Sequence, residues 1–86
     1  MYRVELKRQP EKFIRQQDRR IQTQLVAALK KLAENPRPPQ AKKLEGMDGL
    51  YRIRTGDYRI VYLIEDDKLI VLVVRIGHRK EIYREL

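Results

Sequence analysis

An α+β fold is predicted by three features of this 86-residue chain. A short alternating strand opens it. A stretch of helically spaced apolar residues follows and stops at Asn35-Pro36. Three further strand patterns fill the second half, separated by turn residues at Gly56-Asp57 and Asp66-Asp67. The expected architecture is a single domain, 1–86, with order β-α-α-β-β-β. A small, mainly antiparallel four-stranded sheet packs one face on an N-terminal helical hairpin and leaves the other open, and the chain closes in a short C-terminal helix or tail.

Each element has a local reason. Tyr2, Val4 and Leu6 alternate with Arg3, Glu5 and Lys7, the pattern of a half-buried strand. Pro10 suits the first turn of a helix and Glu11 its positive end; Phe13 and Ile14 supply the apolar face. Asp18 is placed to cap a second helix, in which Ile21, Leu25, Ala28, Leu29 and Leu32 share one face. "NPRPPQ", residues 35–40, is a stiff connector, and "AKKLEGMDG", residues 41–49, reads as a loop. Leu50 to Thr55 and Tyr58 to Glu65 form a hairpin about Gly56-Asp57. "KLIVLVVRI", residues 68–76, is almost wholly aliphatic, as in a strand buried on both faces, and Gly77 ends it.

Composition narrows the function classes. The chain has no cysteine, which removes disulfides and thiolate metal sites. No apolar run approaches the ~18 residues of a membrane span, and the start lacks the shape of a signal peptide, so a cytoplasmic protein is expected. A domain this size buries only roughly 60% of its chain surface, so a stabilising partner is plausible on physical grounds. The formal net charge is +8, which favours a polyanionic partner such as nucleic acid or an acidic protein. That excess lies in residues 1–43, with 12 Lys/Arg against 4 Asp/Glu, whereas residues 44–86 hold 8 of each.

The hairpin therefore carries an oddity that bulk charge does not explain. A two-residue turn sets Arg54 opposite Arg59, with Arg52 one pleat further along on the same face. Like charges directly opposed destabilise a sheet. At about 6 Å the repulsion is roughly 0.7 kcal/mol in water and about 3 kcal/mol at an effective dielectric of 20. A phosphate between the guanidiniums reverses the sign, each charged hydrogen bond contributing roughly 1.5–3 kcal/mol. The bland alternative pairs these arginines with Asp57, Glu65 or Asp66. On the favoured reading Arg59 is exposed on the open face. If the strand lies beside the hairpin, the exit in "RIGHRKEIY", residues 75–83, brings His78, Arg79 and Tyr83 near the arginine face. These side-chain types can bind phosphate, move a proton and stack on a base.

"KKLEGMDGLYRIRTGDYRIVYLI" followed by "VLVVRIGHRKEIYR" resembles the RelE branch of the RelE/ParE toxin superfamily over nearly the whole chain. The resemblance implies a type II toxin acting as a ribosome-dependent endoribonuclease, an mRNA interferase that cuts mRNA in the ribosomal A site. In that chemistry the 2′-hydroxyl attacks the adjacent phosphate and leaves a 2′,3′-cyclic phosphate. It also implies a cognate acidic, RelB-like antitoxin. Carried over by position, Arg52 and Arg54 lie beside the scissile phosphate and Arg59 stabilises the pentacovalent transition state. Arg79 lies near the leaving oxygen, Tyr83 stacks on or orients the nucleotide, and Lys42 and Lys43 hold ribosomal RNA.

Two departures from the family pattern shape the expected mechanism. The best-known member has lysines where this chain has Arg52 and Arg54. Arginine does not deprotonate in proteins, so these two act through charge rather than as a general base. The spacing from Arg79 to Tyr83 is also shorter, which raises His78 as a proton carrier or phosphate contact. One histidine excludes a two-histidine ribonuclease mechanism. No acidic or histidine cluster suggests a metal, so no cofactor is expected and cleavage is expected to be metal-independent. Two other readings share the fold: a ParE-like inhibitor of DNA gyrase, and a member that binds ribosomes or RNA without cutting.

Overall fold

A computed structural model describes residues 1–46 and 49–78. It runs β1 (Arg3–Leu6), α1 (Arg8–Arg15), α2 (Arg19–Glu34), β2 (Lys42–Lys43), β3 (Leu50–Thr55), β4 (Tyr58–Glu65) and β5 (Ile70–His78). The strands form one sheet in the order β1-β5-β4-β3-β2, antiparallel except for the parallel β1–β5 pair. The sheet is thus five-stranded rather than four-stranded. The additional strand comes from the segment read as a loop, where Lys42 pairs with Arg52 and Lys43 with Tyr51. A two-residue strand leaves no periodicity to detect, and only the neighbouring edge of β3 defines it.

The helices form where capping and spacing require. Asp18 accepts a hydrogen bond from the Ile21 amide at 3.0 Å and so caps α2. α2 ends at Glu34, ahead of Asn35-Pro36, and buries Leu25, Ala28, Leu29 and Leu32. These meet Ile53, Ile60, Tyr62, Val71, Val73 and Ile76 from one sheet face to make the core. Tyr62 is fully buried and its hydroxyl donates to the Pro36 carbonyl at 2.7 Å. The bond fixes the connector, and its loss leaves a buried carbonyl unpaired.

β4 and β5 depart from the sequence reading in four ways. β5 starts at Ile70, not Lys68, because Lys68 and Leu69 complete the turn; Leu69 has φ 54° and its amide bonds Asp66 O. Gly77 does not end the strand but pairs with Arg59, and the ladder runs on to His78. Nor is β5 buried on both faces: Val71 and Val73 are fully buried, while Leu72 and Val74 are half-buried. Conversely, the sheet face expected to be open is covered along β4, where Val61 is 1% exposed and Arg59 only 7%.

Within β5 the register slips by one residue. Tyr62 pairs with Val73, but Val61 pairs with Arg75, so Val74 is the extra residue of a β-bulge. Beyond the bulge β5 has lost its β1 neighbour, whose register stops at Val73. The Gln9 side chain of α1 takes that place: its amide donates to Ile76 O at 2.7 Å and accepts from Ile76 N at 2.9 Å. One side-chain amide thus reproduces a strand's pairing and satisfies both backbone groups.

Candidate functional site

The hairpin turn creates the site. Gly56 has φ 59° and Asp57 does not share that sign, so the pair closes a II′-like turn that requires glycine first. Thr55 therefore faces Tyr58, and Arg54 faces Arg59, as the turn predicts. Gln24 of α2 holds the tip by donating to Thr55 Oγ1 at 3.3 Å.

Register then lays out two rows on the face away from the helices. The row near the turn holds Arg54, Arg59 and Gly77 on β3, β4 and β5. The next row holds Lys42, Arg52, Val61 and Arg75 on β2, β3, β4 and β5. Opposed side chains in such ladders have Cβ atoms about 4.5–5.5 Å apart. The face thus concentrates guanidinium groups at spacings that suit a polyanion. Arg54 is exposed, Arg52 and Arg75 are half-buried, and Arg59 is buried. A buried guanidinium is positioned before any ligand arrives, which is the condition for strong electrostatic stabilisation.

For Arg52 and Arg54 the bland pairing does not form among the described residues. Asp66 instead binds Arg37 through two hydrogen bonds of 3.1 and 2.8 Å, and also accepts from the Tyr2 hydroxyl at 2.6 Å. Those bonds hold the Asp66 carboxyl down at a pKa of about 2 and push the Tyr2 hydroxyl up. Glu65 meets Lys68 at 3.9 Å. Among the described residues, neither Arg52 nor Arg54 makes an ion pair; Arg54 Nε donates to Gly56 O at 3.3 Å.

The remaining sequence-predicted residues separate. Lys42 joins the arginine face, whereas Lys43 pairs with Tyr51 and belongs to the opposite one; both are exposed. His78 is opposite Tyr58, on the helix side of the sheet, with their ring centroids 5.8 Å apart. Phe13 packs edge-on to the same tyrosine at 6.0 Å, so His78 ends an aromatic row rather than facing the arginines. Arg79 and Tyr83 lie outside the described residues. A groove of about 340 Å³ borders the tip, with Gln24, Lys31, Gln40, Arg54 and Thr55 among its walls; Arg52 and Arg59 are not.

The sequence reading missed Arg75 as a member of this face. Its signal was a single charge in an otherwise aliphatic strand. Simple alternation from Val71 and Val73 places Arg75 in the core, and only the bulge at Val74 turns it outward.

Comparison with known proteins agrees with this architecture. Residues 3–83 match the ParE toxin family of type II toxin–antitoxin systems. A RelE-like toxin protein of Escherichia coli is 37% identical over 81 residues, covering 92% of this chain and 84% of that relative. The mRNA interferase toxin RelE of Escherichia coli K12 is 39% identical over 69 residues, covering 76% of this chain and 72% of RelE. Among solved structures, the toxin in the intact E. coli RelBE toxin–antitoxin complex superposes with a TM-score of 0.79 at 30% identity, covering 91% of this chain and 96% of that one. The isolated E. coli RelE toxin gives 0.77 at 31% identity over 99% and 94%. Matched along almost its whole length in sequence and fold, the chain belongs to the RelE branch of the RelE/ParE superfamily of type II toxins.

Proposed function

We propose that this toxin is a ribosome-dependent endoribonuclease that cleaves mRNA in the A site. The observation that carries the reading is the direct opposition of Arg54 and Arg59, with Arg52 and Arg75 on the same face. Such a constellation opposes folding by self-repulsion and favours a bound phosphate, most of all one gaining negative charge. In the reaction, O2′ forms a bond to the adjacent phosphorus and the P–O5′ bond breaks. The products are a 2′,3′-cyclic phosphate and a 5′-hydroxyl. The O2′ proton is lost and the leaving O5′ gains one, so no oxidant or reductant is required. Arg59, fixed by burial, stabilises the pentacovalent phosphorane, and Arg52 and Arg54 neutralise its oxygens. Their guanidiniums keep their protons, so the proton steps fall to Tyr83 or to ribosomal groups. His78 faces away from the arginines, which favours Tyr83 over it.

The same chemistry implies the partner. An acidic antitoxin that covers the arginine face complements its positive charge, in keeping with the RelBE complex among the structural neighbours. Co-expression with the adjacent reading frame and affinity capture of the toxin checks this; an acidic protein is expected to co-purify, and Arg54→Glu is expected to weaken it.

The deciding assay is primer extension of a defined mRNA on programmed ribosomes. Cuts inside the A-site codon are expected only when ribosomes and toxin are both present, and Arg54→Ala is expected to slow them by about 10²-fold. Intact mRNA accompanied by DNA damage would instead identify a gyrase poison, and ribosome binding without cuts a non-cleaving member.

A further inference from the structure

The geometry points to Arg75 as a substrate-binding residue. With Lys42 it forms a second phosphate site, for the RNA phosphate next to the scissile one, and Arg52 of the same row lies between the two phosphates and serves both. This rests on the nuclease reading above and assigns the two rows of the face to successive phosphates.

Three observations carry it. Lys42, Arg52, Val61 and Arg75 lie in register across four strands, so three cations flank one small apolar residue. Val61 is 1% exposed and pairs with Arg52 on one side and Arg75 on the other, so these two side chains border a buried aliphatic residue. Next, the row stands two residues along the strands from Arg54 and Arg59, about 7 Å at the usual rise. Successive phosphates of an extended RNA strand are spaced by a similar length, so one strand running along the hairpin meets both rows. Lastly, the bulge at Val74 exchanges two side chains: Ile76 turns into the core, fully buried, and Arg75 turns to the cationic face. Bulges commonly re-aim a side chain beside a functional site. Gln9 locks this one by pairing both backbone groups of Ile76.

A structural role for Arg75 predicts a loss of stability and nothing specific to one phosphate. The test therefore uses synthetic mRNA with a single uncharged methylphosphonate linkage, placed in turn on the 5′ and the 3′ side of the scissile bond, on programmed ribosomes. With wild type, one of the two positions is expected to slow cleavage by about 10- to 100-fold, the range for one charged hydrogen bond. Arg75→Ala is expected to show the same slowing on ordinary RNA and no further slowing at that linkage, with Arg75→Lys intermediate. Arg54→Ala is expected to remain sensitive to it. The proposal is overturned if Arg75→Ala cuts ordinary RNA at the wild-type rate, or if its effect multiplies with the methylphosphonate at both positions. If wild type cuts no RNA, the nuclease reading fails separately. The row is then judged from binding of a fluorescein-labelled RNA hexanucleotide over a salt series. Losing one phosphate contact is expected to flatten the log–log slope by about 0.7 in Arg75→Ala, and an unchanged slope overturns the proposal.

Discussion

Arg59 and Arg54 face each other across one ladder rung, yet one is buried and the other exposed. Their substitutions are expected to part accordingly. Arg54→Ala removes an exposed side chain and is expected to change stability by no more than about 0.5 kcal/mol while abolishing most cleavage. Arg59→Ala is expected to abolish cleavage and also to lower the melting temperature, because it deletes packed atoms of a buried side chain and strands the groups that its guanidinium engages. Thermal unfolding beside the primer-extension assay separates the two effects. Tyr62 offers a test of the core. Burial is the main cause that pushes its hydroxyl up to about 12 from 10.0, with Tyr51 adding to it. The folded state favours the protonated phenol. Its contribution is therefore complete below pH 10 and lost as pH rises towards 12. Tyr62→Phe is expected to cost about 1–3 kcal/mol through the orphaned Pro36 carbonyl and to flatten this alkaline slope in denaturant titrations.

At the level of elements, β5 is held by different neighbours before and after its bulge. β1 pairs with it as far as Val73, and the Lys7 amide adds a bond to Val73 O at 3.0 Å. Past that point α1 takes over through Gln9. Gln9→Ala is expected to destabilise the fold by about 1–3 kcal/mol, since Ile76 loses partners on both backbone groups. Amide exchange at Ile76 is expected to accelerate more than at Val71, because a local opening of the strand end suffices. α2 has a simpler dependence: Asp18→Ala removes the cap and is expected to cost about 1 kcal/mol in equilibrium unfolding.

Across the whole molecule, one polar cluster joins segments far apart in the chain. Arg37 of the connector, Asp66 of the β4–β5 turn and Tyr2 ahead of β1 meet by hydrogen bonds, and the Arg37 guanidinium lies 5.7 Å from the Tyr51 ring centroid. Asp66 titrates at about 2 rather than 3.8, chiefly through Arg37. Its depressed value stabilises the fold above pH 3.8, and that contribution disappears as pH falls towards 2. Melting temperatures measured across this window are expected to fall for wild type and to fall less steeply for Asp66→Asn. The cluster also uses an acid that the hairpin arginines would otherwise attract. Among the described residues, Asp66 is thereby committed to Arg37 and Tyr2 and pairs with neither Arg52 nor Arg54.

Most of the fold was legible because local rules dominate it. Asp18 caps its helix, Asn35-Pro36 stops it, Gly56-Asp57 turns the hairpin, and strict alternation sets Arg52, Arg54 and Arg59 on one face. Each depends on residues within a few positions of one another. What the sequence could not supply depends on contacts between distant segments. β2 exists only because β3 lies beside it, and the burial of Arg59 follows from how the sheet is covered. Arg75 reaches the cationic face because the β4–β5 register slips at Val74, where periodicity alone assigns it to the core. A one-residue slip reverses the facing of every side chain beyond it. The choice between the two registers lies in the packing of Ile76 and the grip of Gln9, which only the folded molecule brings together.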